Sequence, residues 1–117
     1  MAESEKLQAK LDALRVTFAN GIAERLDRIR PDRKILAVDG LGEEAAEALV
    51  RVHRESHSLA GTAPVFGFDE LGKSAREAEE SAQACIAGTT APGAPLADAI
   101  DRMIGDLETA AEAGDVA

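Results

Sequence analysis

The chain has 117 residues, with 13 Lys and Arg against 22 Asp and Glu and a formal net charge of −9 at pH 7. That acidity disfavours nucleic acid and anionic membrane as partners, and three Phe without Trp or Tyr leave no aromatic stacking platform. The length suits one domain over residues 1–117, with its core at about 10–113, and a lone cysteine, Cys85, excludes an internal disulfide and suits a reducing compartment.

Ala, Leu, Glu and Arg dominate and β-branched residues are few, which favours an all-α chain. No apolar run reaches the roughly 18 residues of a membrane helix. The start MAESEKLQAK carries no apolar targeting segment. A cytoplasmic monomer is the expectation.

The first helical pattern runs from about Glu3 to Ile29. Its apolar positions are Leu7, Leu11, Leu14, Phe18, Ile22, Leu26 and Ile29, three or four residues apart. Asn20-Gly21 is a point of breaking or bending, which would leave a short extra helix ahead of a longer one. Arg30-Pro31 marks the expected end. The connection RPDRKILAVDGLG holds a short apolar patch, Ile35, Leu36 and Val38, expected to tuck against one end of a bundle.

A second helix is expected over Glu43–Ala63, with Glu43 and Glu44 in the first turn where the helix dipole favours acid. Pro64 lacks the N–H that would bond the Ala60 carbonyl, so the helix ends or kinks there. Gly67 opens a turn. Asp69 is placed to cap a third helix that runs to about Ala87 and stops at Gly88. Cys85 falls on its apolar face and reads as a core residue rather than a nucleophile. GTTAPGAP is a loop. A fourth helix spans about Leu96–Ala113, with Leu96, Ile100, Met103, Ile104 and Leu107 as its stripe. Short connections make the later helices antiparallel neighbours, so the expected architecture is an antiparallel four-helix bundle.

One stretch, HSLAGTAPVFGF at residues 57–68, departs from ordinary helix chemistry. Gly61 follows His57 by one helical turn, although Gly in a helix costs roughly 1 kcal/mol relative to Ala. At 100° per residue from Leu49, the residues Ala45, Val52, Ser56, Leu59 and Ala63 cluster around roughly 320°, the core direction. His53 falls near about 40°, His57 near about 80° and Gly61 near about 120°. His57 therefore stands on a shoulder, beside bare backbone. On the third helix Glu79 takes a similar flank angle, with Gly72, Arg76 and Gln83 near it. His57 precedes the Gly67 turn by ten residues and Glu79 follows it by twelve, so an antiparallel hairpin sets them at similar height. His53 and His57 have a metal-compatible i, i+4 spacing. No further ligand stands out, so no metal or cofactor is expected and His53 reads as structural.

His57-x-Leu59-x-Gly61, then Phe66-Gly67-Phe68 and Leu71, resembles the histidine phosphotransfer (HPt) domain of bacterial phosphorelays. It is also similar to the phosphoacceptor domain of chemotaxis histidine kinases. Upstream, LRVTFANGIAERLDRI is similar to the helix that commonly precedes this motif. The resemblance covers about residues 10–110. Two positions depart from the family pattern: Ala60 stands where a Lys is usual, and Pro64 replaces a small residue.

The resemblance implies that His57 accepts a phosphoryl group from a response-regulator receiver domain or a hybrid histidine kinase and passes it on. Gly61 would let the partner's loops approach the ring. Glu79 matches a position where related kinase domains carry a glutamate that orients the histidine. Arg76, with Lys73 behind it, is the candidate to offset phosphoryl charge. The docking strip would hold Val50, Ala60 and Gly61, with Phe68 nearby. Receiver partners would bring Mg²⁺ and the electrophilic groups, so the chain is expected to be a phosphocarrier and not an enzyme. Two alternatives compete: a non-phosphorylated HPt-like module that only docks a receiver or kinase, and a structural bundle that self-associates.

Overall fold

A computed structural model of the chain describes residues 2–37, 42–89 and 93–114. Five helices follow in order: α1 (Ala2–Asn20), α2 (Ile22–Ala37), α3 (Glu43–Thr62), α4 (Asp69–Ile86) and α5 (Ala94–Ala111). Short 3-10 turns cover Ala63–Phe66, between α3 and α4, and Glu112–Gly114, after α5. The described residues contain no strand.

Helices α2 to α5 form the expected antiparallel four-helix bundle. Each packs on two of the others in a closed cycle: α2 on α3, α3 on α4, α4 on α5 and α5 on α2. The core is built from Ile22, Ile29, Val52, Leu59, Leu71, Ile100, Met103 and Leu107, all buried. Each such side chain contributes about 1.5–3 kcal/mol of burial. Facing α4 offers mainly Ala75, Ala78 and Ala82, small residues that let α3 and α5 approach its backbone closely.

Flanking charges tie α2 to its neighbours. Arg25 donates to Glu55 at 2.7 Å, and Arg51 holds the buried Asp32 carboxylate through Nε and an NH2 group at 2.8–3.1 Å. Arg33 grips Asp101 with two bonds and holds that carboxyl below the ordinary carboxylate range.

Pro31 does not end α2. Its ring removes one backbone bond, yet the helix runs on to Ala37. The turns after it are held from outside, by burial of Leu36 and by the Asp32–Arg51 and Arg33–Asp101 pairs. Ile35 packs against the core from that last turn. Val38 lies outside the described residues. Nor is Asp69 an N-cap: it is the first residue of α4, preceded by Phe68, with no side-chain cap bond. At α5, Ala94 and Pro95 belong to the first turn rather than to the loop.

The leading helix is longer than expected. At 19 residues α1 spans about 28 Å. Among the described residues, only its C-terminal end meets the bundle. Phe18 packs on Phe66 and Phe68 at ring-centroid distances of 5.4 and 5.5 Å, Ala19 is buried, and the Arg15 guanidinium sits 4.6 Å from the Phe68 ring. Residues 2–17 are all exposed. Leu7, Leu11 and Leu14 are therefore not core, although they continue the stripe that leads to Phe18 and Ile22. The molecule measures 56 × 24 × 19 Å as a result.

Candidate functional site

The site is assembled by the α3–α4 hairpin. Pro64 closes α3 into a 3-10 turn, and Gly67 follows in the left-handed region at φ 84°. That conformation suits glycine, and it sends the chain back antiparallel. Pro64 and Gly72 then meet: a Cβ built on Gly72 would lie 2.6 Å from the Pro64 Cγ. The hairpin closes because Gly72 has no side chain. Sequence periodicity placed Gly72 beside the Glu79 flank and did not show this contact.

His57 stands on the outward shoulder of α3, its side chain 73 % exposed. One residue earlier, Ser56 is fully buried and donates its hydroxyl to the Val52 carbonyl at 2.6 Å. That buried neighbour and Leu59 anchor the rotation of the helix. The ring of His57 is thereby left in solvent.

Glu79, reaching from α4, is hydrogen-bonded through Oε2 to His57 Nδ1. It is only 21 % exposed, so the carboxylate is held against the bundle while the imidazole is held out. A carboxylate accepts and the ring nitrogen donates, so Nδ1 carries the proton and Nε2 keeps its lone pair. Nε2 has no hydrogen-bond partner among the described residues.

Gly61, one turn beyond His57, has nothing within 4 Å of where a Cβ would sit. Val50, two turns before the histidine, is exposed on the same side of α3. Ala60 is different: at 8 % exposure it packs in the core cluster and offers the surface only the edge of a methyl group. Phe68 is half-buried, engaged with Phe18 and Arg15 at the base of α1.

Arg76 is exposed on α4, three residues before Glu79, and makes no ion pair among the described residues. It shares a shallow cleft with Pro64, Gly72 and Lys73. Lys73 is drawn to Glu70 at 3.4 Å. The half-buried His53 has its ring nearly parallel to that of His57 at a centroid distance of 6.3 Å. Cys85 packs against the core, and burial pushes its thiol up, away from the reactive thiolate.

Together these residues make a shoulder histidine with a hydrogen-bonded ring and an open approach on a four-helix bundle. A family model described as the Hpt domain matches residues 3–110. The chain belongs to the Hpt domain family. No curated protein and no solved structure matched it.

As an Hpt domain the chain is a phosphotransfer module of two-component signalling, and Hpt domains as a family are phosphocarriers rather than catalysts. Hpt domains interact with receiver domains and kinases in phosphorelays. Among the described residues no helix is long and apolar enough to cross a membrane.

Proposed function

We propose that His57 is the phosphoacceptor of this Hpt domain. It takes the group from a receiver-domain aspartate or a hybrid histidine kinase and delivers it to another response regulator. The observation that carries this reading is the pairing of Nδ1 with Glu79 on a ring that is otherwise solvent-facing.

With an aspartyl phosphate as donor, the Nε2 lone pair attacks phosphorus in line. The Nε2–P bond forms as the bond from phosphorus to the carboxylate oxygen breaks, and that electron pair leaves with the carboxylate. Positive charge develops on the ring and Glu79 lies against it. The reverse sequence delivers the group to the next aspartate. Phosphoryl transfer of this kind depends on positioning and on metal-assisted charge neutralisation. In this reading the receiver contributes its Mg²⁺ and the chain contributes the oriented nucleophile. Arg76 meets the phosphoryl oxygens, with Lys73 as a second cation. The docking strip runs along α3 through Val50 and Gly61, with Ala60 supplying a methyl edge and Phe68 standing at its far rim.

Incubation with a phosphorylated receiver tests the assignment. The wild-type chain and His53→Gln should both acquire acid-labile, base-stable label, and His57→Gln should acquire none while keeping its circular dichroism and melting temperature. Label on His57→Gln would overturn the assignment. An unlabelled wild-type chain that still binds the receiver would mark it as a docking module.

A further inference from the structure

We infer that α1 is a self-association helix: two copies of the chain pair through the Leu7–Leu11–Leu14 stripe, side by side and antiparallel. Among the described residues nothing covers the stripe. Leu7 is 59 %, Leu11 38 % and Leu14 50 % exposed, on a helix that meets the other described elements at its C-terminal end. Leu7, Leu11, Leu14 and Phe18 are spaced four, three and four residues apart, which is the a/d seam of a coiled coil. Phe18 closes that seam on the bundle.

Charge selects the occupant. The chain carries a net −9, yet α1 holds three acids (Glu3, Glu5, Asp12) and three bases (Lys6, Lys10, Arg15). All of the net negative charge lies outside α1, so this is the part of the molecule that a second copy can approach without repulsion. Charge also selects the orientation. The first half of α1 has Glu3 and Glu5 against Lys6, and the second half has Lys10 and Arg15 against Asp12. Antiparallel pairing lays the negative half on the positive half and opposes the two helix dipoles. It also sends the two acidic bundles to opposite ends, beyond the roughly 8 Å screening length of physiological salt. Parallel pairing would set like halves and both bundles together. The inference is independent of the phosphotransfer reading, and either can fail alone.

Sedimentation equilibrium of the full chain from micromolar to millimolar should show mass rising from 12.2 kDa toward twice that value. Leu7→Glu with Leu14→Glu should stay monomeric across that range, with an unchanged bundle by circular dichroism and unchanged labelling of His57. Orientation is read by oxidative cross-linking in a Cys85→Ser background. A disulfide needs Cα atoms within about 7 Å. Leu11→Cys, near the centre of the seam, should form a cross-linked dimer. Ser4→Cys should not, because antiparallel copies hold that position about 20 Å apart. A wild-type chain that stays monomeric at millimolar concentration overturns the inference. So does a dimer that survives the double glutamate change, or a Ser4→Cys chain that cross-links as readily as Leu11→Cys.

Discussion

Glu79→Gln separates the charge of the Glu79 side chain from its hydrogen bond. The amide oxygen can still accept from Nδ1, but a neutral partner favours the Nδ1–H form less strongly than a carboxylate, can also donate to Nδ1 through its NH2, and no longer offsets the charge that develops on the ring. Nitrogen chemical shifts of the His57 ring should therefore move toward the Nε2–H tautomer. Transfer should slow by about tenfold, at the low end of such acid–base effects. Unchanged tautomer shifts together with an unchanged rate would reduce Glu79 to a surface carboxylate.

Gly61 allows a sharper separation, because the space around it is open. Gly61→Ala should stabilise the chain by up to about 1 kcal/mol through helix propensity alone. Gly61→Gln should keep the fold and slow transfer, since a long side chain then stands where a partner's loops would approach. Normal transfer in Gly61→Gln would remove the access argument. This pairing of sites was legible in the sequence for a simple reason: counting across the Gly67 turn fixes relative height, and helical angles fix the flank. What counting misses is depth. Ala60 and Gly61 are adjacent in sequence, yet Ala60 is packed and Gly61 is open, because the shoulder of a helix falls away within a single residue's rotation.

Between elements, the contact of Pro64 with Gly72 sets how tightly α3 and α4 close. Gly72→Ala gains helix propensity but drives a Cβ into the Pro64 ring, which has little freedom to move. Overpacking of this kind costs about 1–3 kcal/mol, so the substitution should lower the urea midpoint, opposite in sign to Gly61→Ala. Equal or greater stability would show that the hairpin has slack. The two glycines sit in the same pattern and only the folded chain tells them apart.

Helix existence was readable throughout, because apolar spacing of three and four recurs in every segment. Helix ends were less so. Pro31 reads as a stop signal, but signals of that kind describe a chain with nothing around it. Here Asp32 and Arg33 find partners on α3 and α5, and the extra turns are held by those partners. Asp69 failed as a cap for a related reason: the turn through Gly67 and Phe68 delivers it already inside the helix.

Across the whole molecule, periodicity showed an apolar stripe on α1 and could not show whether anything covers it. The same seven-residue logic describes Leu7 and Ile29, yet one is in solvent and the other in the core. The net charge of −9 bears on encounters in the same global way. An acidic chain gains electrostatic steering only toward a basic partner, and the strip along α3 is uncharged at Val50 and Gly61, with the exposed Arg54 as the charge between them. Transfer rates from a phosphorylated receiver should accordingly vary little with salt. A steep fall between low and high salt would place the docking energy in ion pairs, with Arg76 and Lys73 the first residues to substitute.

All three phenylalanines of the chain, Phe18, Phe66 and Phe68, share one cluster, and there is no Trp or Tyr. The protein's entire intrinsic ultraviolet emission therefore originates at the joint between α1 and the bundle, with no stronger fluorophore to drain it. Any event that loosens the seat of α1 changes that emission, and an event confined to the far side of the bundle leaves it unchanged. The chain carries its own label-free optical gauge where α1 is seated on the bundle.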